Sequence, residues 1–151
     1  MLKYLLITIS VLIVWALAAL AIHRFLNKET DDLKIIQLEI SGIKIEAEVA
    51  DNFLSRMQGL SGRESLGEGK GMLFIFNGSA VRSFWMKDMN FPIDIIWIKD
   101  DEIVGFVENA PIPEAVKIPS FRSPSDVDKA LELNAGSVKK FNIQIGDKIK
   151  Y

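Results

Sequence analysis

The chain has 151 residues, long enough for one domain with a hydrophobic core beyond an apolar segment of about 28 residues at its start. It holds 18 Lys and Arg against 20 Asp and Glu; without Lys3, Arg24 and Lys28, residues 29–151 carry 15 − 20 = −5. This acidic balance does not favour a nucleic-acid partner. There is no cysteine, and the one histidine, His23, lies at the edge of the apolar segment. The domain therefore has no cysteine or serine–histidine catalysis and no His or Cys metal ligands, and we expect no cofactor.

The first predicted element is a hydrophobic N-terminal helix. Residues 4–22 carry no charge over 19 positions, close to the roughly 20 that cross a bilayer as a helix. Lys3 and the Ala-x-Ala runs also fit a signal peptide, but the apolar run continues past the cleavage sites, which favours an anchor. Arg24 and Lys28 favour the opposite orientation by the positive-inside rule, although acidic residues follow them. We expect the domain outside the cytosol, anchored to the membrane or, after cleavage, secreted or periplasmic.

The remaining chain divides into a polar linker, residues 29–34, and a domain over residues 35–151 that is predicted to be mainly β, a β-rich α+β class. From Ile43 to Val49 apolar and charged residues alternate, the period of a half-buried strand, and Ser41-Gly42 supplies a hairpin turn. Further strands are expected over residues 72–76, 81–86, 93–98, 103–107 and 129–134. Short strands at this spacing predict a compact, largely antiparallel, barrel-like sheet.

One short helix and one long loop complete the predicted domain. Asp51 is expected to cap the helix, which ends at Gly59 and Gly62. Its apolar stripe comprises Phe53, Leu54, Met57 and Leu60. Residues 109–125 contain four of the five prolines, so they are expected to form an extended surface loop.

Six short motifs follow one another along the domain. They are Arg56 with Gly59-Leu60, GMLFIF from Gly71, FWMK from Phe84, PIDII from Pro92, LELNAG from Leu131 and Gly146-Asp147. Through them, residues 36–149 resemble the family known as domain of unknown function 192. The resemblance implies a β-rich, barrel-like fold with little helix, commonly behind a signal or anchor, and no established activity. This chain has Asp88 where members more often have Asn.

Six residues are candidates for ligand binding: Arg56, Trp85, Lys87, Asp94, Glu132 and Asn134. Asp94 interrupts an apolar run, and a carboxylate there lies at a rim or needs a partner, for which Arg56 is a candidate. Such a pair would be either a structural ion pair or part of a ligand site.

The other candidates follow from strand alternation. Trp85 and Lys87 share one strand face, and an exposed aromatic beside a cation suits stacking on a sugar ring; alternatively, Trp85 covers a loop. Glu132 and Asn134 face away from Leu131 and Leu133, on a solvated face or in a site.

Two functions remain open. The first, which we favour, is a non-catalytic module that binds a small ligand, a glycan or an envelope partner. The alternative is a hydrolase with Asp94 and Glu132 as paired carboxylates. Carboxyl groups about 5–10 Å apart in one cleft would favour the hydrolase, whereas positions on opposite faces of the sheet would exclude it.

Overall fold

The computed structural model describes residues 1–31, 33–115 and 117–151. The chain divides into two compact units, residues 1–32 and residues 33–151. The first unit is one helix, α1 (Leu2–Asp31), which includes residues 29–31 of the predicted linker. Residue 32 of that linker lies outside the described residues. No helix in the described parts of the chain combines the length and the apolar character that crossing a bilayer requires.

The second unit is mainly β, with two short helices among its described residues, which confirms the predicted β-rich class. Its elements are β1 (Ile35–Ile40), β2 (Ile43–Ala50), α2 (Phe53–Gln58), β3 (Lys70–Ala80), β4 (Ser83–Trp85), β5 (Ile93–Lys99), β6 (Glu102–Ala110), β7 (Ser120–Arg122), β8 (Val127–Asn134), α3 (Ser137–Lys140) and β9 (Ile149–Lys150). Seven strands form one sheet in the order β6-β5-β8-β3-β2-β1-β9, and β4 and β7 form a separate ribbon. The pairings are antiparallel except β2 with β3.

The large sheet curves until its two edges meet. Glu102 of β6 forms an isolated antiparallel bridge with Lys148, directly before β9. Main-chain hydrogen bonds join the same segments, from Ile103 N to Asp147 O at 2.9 Å and from Ile149 N to Asp101 O at 2.9 Å. The barrel-like closure therefore rests on a few bonds at the shortest strand, β9.

The hairpin of β1 and β2 follows directly from the sequence. Ser41 and Gly42 both have positive φ angles, 50° and 81°, as a two-residue hairpin turn of the primed type requires. The turn aligns Leu38 with Ile45 and Ile40 with Ile43. The alternating apolar side chains thereby lie on one face of the sheet.

The sheet is buried on both faces at its centre. One cluster, here called the inner face, includes Leu38, Ile45, Leu73, Ile96, Leu131 and Leu133. A second cluster, the outer face, includes Met72, Phe74, Ile95, Trp97 and Ala130, with Leu60, Met86 and Met89 packed over it. Strands β3, β5 and β8 therefore have no solvated face over their central residues, because alternate side chains enter the two clusters.

The short helix α2 begins one residue later than predicted. Its cap is Asn52, not Asp51: the Ser55 amide donates to Asn52 Oδ1 at 2.9 Å and the Asn52 amide donates to Ser55 Oγ at 3.2 Å. Phe53 and Met57 of the predicted apolar stripe are 69% and 54% exposed. Six helical residues make fewer than two turns, so only part of that stripe reaches the sheet.

The predicted proline-rich loop contains a strand. Within residues 109–125, β7 pairs with β4 and places Phe121 opposite Phe84. Both rings pack against the outer-face cluster, and the flanking prolines lie outside the strand. Residue 116 of this segment lies outside the described residues. Helix α3, which no sequence pattern indicates, follows β8 directly.

Candidate functional site

Asp94 lies on the inner face, wholly buried, and its carboxylate is satisfied by the main chain. Its Oδ1 accepts hydrogen bonds from the amides of Asn109 at 2.8 Å and Gly136 at 3.1 Å, and its Oδ2 accepts from Val138 at 2.8 Å. These donors come from the end of β6 and the start of α3. Asp94 therefore fixes two connections of the barrel.

Arg56 is not the partner of Asp94, so that predicted pair is wrong. Its Nη1 donates to the main-chain carbonyls of Asp51 and Ile75, the latter at 2.9 Å, and its guanidinium lies 5.6 Å from the centroid of the Phe76 ring. The reason is topological. Helix α2 covers the outer face, whereas Asp94 points to the inner face.

Glu132 is buried on the outer face, so of its two expected positions, on a solvated face or in a site, the solvated one is wrong. It lies on β8 between Met72 of β3 and Ile95 of β5, and only 5% of the residue is exposed. Its Oε2 has no hydrogen-bond partner among the residues that the structure describes. Burial raises the pKa of Glu132 to about 8, although the positive charge of Arg63 lowers it in part.

A second carboxyl group, that of Glu48, lies in the same row across the sheet and has the opposite environment. Glu48 and Glu132 are both paired with Met72, one on each side. Arg63 Nη1 and Nη2 donate to the two oxygens of Glu48, each at 2.6 Å. This bidentate hydrogen bonding, together with the charge of Arg63, lowers the pKa of Glu48 despite partial burial. Arg63, whose positive charge lowers the pKa of Glu132, therefore already donates hydrogen bonds to Glu48.

A small cleft opens above Glu132 on the outer face, between the end of α2 and β4; we call it the outer-face cleft. Its cavity measures about 30 Å³ and is lined by Arg56, Met57, Gln58, Gly59, Leu60, Ser61, Phe74, Phe84, Trp85, Met89 and Glu132. Trp85 is 54% exposed at this cleft. The volume suffices for one water-sized group.

Local backbone geometry brings the walls of the cleft together. Gly59 ends α2 with φ of 52°, and a Cβ at this position would lie 3.3 Å from the Phe74 ring. Only glycine meets both conditions without strain. Directly after Gly59 and Leu60, Ser61 Oγ donates to the Lys87 carbonyl at 2.8 Å and the Gly62 amide donates to Asp88 O at 2.8 Å, which joins this segment to the one after β4.

The structure brings three of the six predicted residues together: Arg56, Trp85 and Glu132 line the cleft. Lys87 instead pairs with Asp88 at 2.9 Å in solvent. Asp88 has φ of 55°, a left-handed conformation that Asp and Asn adopt more readily than most residues. Asn134 Nδ2 donates to the carbonyls of Leu66 at 2.9 Å and Gly67 at 3.2 Å, so it anchors a loop.

Asp94 and Glu132 do not form a paired-carboxylate site. Asp94 is opposite Leu133 and Glu132 is opposite Ile95, which places the two carboxyl groups on opposite faces of the sheet. Within residues 1–31, 33–115 and 117–151 no group of His, Cys, Asp or Glu side chains could hold a metal ion.

Sequence reasoning missed Arg63, Glu48 and the aromatic wall of Phe74. Glu48 lies in the alternating pattern of β2, so the pattern predicts which face of the strand it occupies. Its pairing with Arg63, 15 positions away, has no signal in the sequence. Phe74 reads as an ordinary core residue of a buried strand.

A second, larger cavity of about 230 Å³ lies between the loop at residues 68–70 and α3. The charged groups at this cavity are engaged: Lys140 pairs with Glu68, and Lys70 pairs with Glu46 at 2.9 Å. Volume favours this cavity, but the unpartnered carboxyl group lies in the outer-face cleft. We give the chemistry more weight, because a buried polar group without a partner is costly.

Comparisons with known proteins identify the family. The DUF192 family model, described as "Uncharacterized ACR", matches residues 36–151. No curated protein matches the chain. A crystal structure of a protein of unknown function from Novosphingobium aromaticivorans is similar, with a TM-score of 0.73 and 27% identity over 79% of this chain and 86% of that one. A "putative transcription regulator" from Sinorhizobium meliloti has a TM-score of 0.71 and 31% identity over 78% of this chain and 94% of that one. The chain belongs to the DUF192 family.

Proposed function

We propose that residues 33–151 form a non-catalytic binding module whose ligand occupies the outer-face cleft. The observation that carries this proposal is the Glu132 carboxyl group, buried at the cleft without a hydrogen-bond partner for Oε2 among the described side chains and main chain. Leaving a buried polar atom unpaired costs roughly 1–3 kcal/mol. A ligand that supplies the missing hydrogen bond would offset this cost.

The exposed ring of Trp85 supports the same site. It lies on β4 while its neighbours Phe84 and Met86 pack into the outer-face cluster, so the strand directs one aromatic side chain to solvent at the cleft. Exposed tryptophan rings offer a flat apolar face with a polar N–H. A small molecule, a glycan or a group on an envelope protein could stack there while it reaches Glu132.

The structure offers less support for the two other functions considered. A hydrolase that pairs Asp94 with Glu132 would need both in one cleft, and they lie on opposite faces. The transcriptional role in the name of the Sinorhizobium protein is not part of our proposal, because the net charge of −5 over residues 29–151 does not favour nucleic-acid binding.

We also propose that the module is held outside the cytosol by residues 4–22. The support is the uncharged run of 19 residues and the exposure of apolar side chains along α1, with Leu12, Trp15 and Leu17 each at least 60% exposed. A reporter fused after Tyr151 tests the orientation: activity only in the cytosol would overturn it. Mass spectrometry of the mature N-terminus separates a retained anchor, which keeps Lys3, from a cleaved signal.

A thermal-shift screen of the full chain with glycans and metabolites tests the binding function. A ligand at 100 times its Kd adds about 2.7 kcal/mol of stability. We expect a ligand that stabilises the wild type and the Phe53→Ala variant but not the Trp85→Ala variant. Phe53 is the matched control, since it is an exposed aromatic residue that does not line the cleft. Equal stabilisation of the Trp85→Ala variant would place the site elsewhere.

A further inference from the structure

The outer-face cleft combines one carboxyl group with several aromatic rings. Phe74 and Phe84 meet edge to face with centroids 4.8 Å apart, and both line the cleft together with Trp85 and Glu132. Aromatic faces attract cations through their quadrupole, and a carboxylate supplies the opposite charge. This is a combination of groups that recognises an organic cation.

We propose that the outer-face cleft binds the primary ammonium group of a ligand, with Glu132 as its counter-ion and the rings of Phe84 and Trp85 beside it. The inference rests on the binding function proposed above and names the chemical class of the ligand. A primary ammonium carries three hydrogen-bond donors and no acceptor. One donor would supply the partner that Glu132 Oε2 lacks.

The size of the cleft favours a compact cationic group. Its volume of about 30 Å³ holds a water-sized group, and the cleft is open to solvent on one side. The NH₃⁺ group of a primary amine has this size, whereas a trimethylammonium group is several times larger. The remainder of the ligand would lie outside the cavity, where Trp85 is exposed.

No positively charged group among the described residues donates a hydrogen bond to Glu132 Oε2. From β2, Glu48 is neutralised by the two hydrogen bonds of Arg63, which follows α2. From α2, Arg56 directs Nη1 to main-chain carbonyls and stacks over Phe76. Beyond β4, Lys87 pairs with Asp88. Glu132 is thus the unpaired acidic group of the cleft among the described residues.

Ammonium binding couples to the protonation of Glu132. Burial raises the pKa of the free carboxyl group to about 8, so Glu132 is mostly protonated at pH 7. A cation beside it favours the ionised form, and the carboxylic O–H bond then breaks and gives its proton to the buffer. Binding of R-NH₃⁺ near pH 7 therefore releases close to one proton, whereas an alcohol of the same shape releases none.

Calorimetric titration of the full chain at pH 7, in two buffers with different ionisation enthalpies, tests this inference. The probes are n-butylammonium, n-butanol and n-butyltrimethylammonium, and the NMR signal of the Trp85 indole N–H reports where they bind. We expect n-butylammonium to shift that signal and release close to one proton. n-Butanol should bind at least 10-fold more weakly without proton release. The trimethylated cation has no N–H to donate to Glu132 Oε2 and should also bind more weakly than n-butylammonium.

Two variants assign the effect to Glu132. Glu132→Gln should weaken n-butylammonium binding at least 10-fold and abolish proton release, while n-butanol binding stays unchanged and shows that the cleft remains folded. The matched control Glu64→Gln removes one exposed negative charge on the chain segment beside the cleft and should behave as wild type.

The possible failures are distinguishable. If n-butanol binds as tightly as n-butylammonium in both the wild type and the Glu132→Gln variant, the ammonium inference falls and the binding function stands. If none of the probes shifts the NMR signal of the Trp85 indole N–H, and no ligand in the thermal-shift screen stabilises the chain, both proposals fall. Nα-acetyl-lysine methylamide separates two sources of the same ammonium group: binding equal to that of n-butylammonium supports a lysine of a partner protein, and exclusion supports a free amine.

Discussion

Two buried carboxyl groups lie on neighbouring strands of the same sheet and have opposite surroundings. Asp94 of β5 points to the inner face and accepts three main-chain hydrogen bonds. Glu132 of β8 points to the outer face, where burial raises its pKa. Its Oε2 has no hydrogen-bond partner among the described residues. Asp94 is paired with Leu133, the residue next to Glu132 on β8, and neighbouring residues of a strand point to opposite faces of the sheet.

The comparison shows that burial alone does not distinguish a structural carboxyl group from a functional one. Nearly all buried polar groups in folded proteins have hydrogen-bond partners, so the exception needs an explanation. The hydrogen bonds that Asp94 accepts connect β6 to the start of α3. Glu132 Oε2 accepts no hydrogen bond from the described residues, and Glu132 lines a cleft. The two residues therefore should respond differently to substitution.

The largest effect is expected at Asp94. Asp94→Ala leaves three amide donors without acceptors, one buried and two partly buried, so we expect the free energy of unfolding to fall by about 3–5 kcal/mol. Urea denaturation measures the change, and Asp126→Ala at an exposed position is the control, expected within about 0.5 kcal/mol. A loss below 1 kcal/mol at Asp94 would remove the contrast with Glu132.

At Glu132 the effect is expected to depend on pH. The pKa is about 8 in the folded protein and 4.5 ordinarily, so between these values unfolding releases a proton and wild-type stability falls as pH rises. Below pH 4.5 Glu132 is protonated in both the folded and the unfolded state, so it adds no pH dependence to the free energy of unfolding. Glu132→Gln lacks this dependence and should gain on the order of 3 kcal/mol relative to wild type between about pH 5 and 7.5. Parallel stability curves in urea would contradict the assignment.

Arg63 sharpens the comparison by acting on both glutamates. The hydrogen bonds of Arg63 lower the pKa of Glu48, so this pair stabilises the fold above pH 4.5 and loses its contribution as pH falls through the folded pKa. Arg63→Met should cost about 1–2 kcal/mol at pH 7, and the difference from wild type should shrink as pH falls through the folded pKa of Glu48. Urea melts over a series of decreasing pH values measure it. A difference that does not change with pH would mean that packing, not charge, is lost.

The smallest change in stability is expected at Trp85. The residue is 54% exposed, so Trp85→Ala should lower the free energy of unfolding by less than about 1 kcal/mol. Trp97 is the matched control, because it is 1% exposed and Trp97→Ala should cost about 3–5 kcal/mol. Similar losses for the two variants would indicate that Trp85 is part of the scaffold.

Much of the fold was readable because it rests on local patterns. The alternation from Ile43 to Val49 and the turn at Ser41-Gly42 predicted the hairpin of β1 and β2, and the alternation at residues 129–134 predicted β8. The motifs that carry the family resemblance likewise lie in short contiguous runs. The start of α2 at Asn52 instead of Asp51 is a difference of one residue between two good capping residue types.

The site was only half readable because it depends on tertiary contacts. Alternation correctly assigned Glu132 to the face opposite Leu131 and Leu133, but it does not show whether that face meets water. The cover over Glu132 comes from α2 and β4, far away in the sequence. The partners of Asp94 are main-chain amides 15 to 44 positions away, which no residue pattern announces.

The most direct test of this account is the titration of the Glu132 side chain itself. Carboxyl ¹³C NMR of the full chain follows this group across pH 3–10, and the Glu132→Gln variant assigns its signal. We expect a midpoint near 8, since the carboxyl group is buried without a partner for Oε2 among the described residues. A midpoint near the ordinary 4.5 would show that Glu132 is solvated or paired, and would contradict both the cleft as a binding site and the contrast with Asp94.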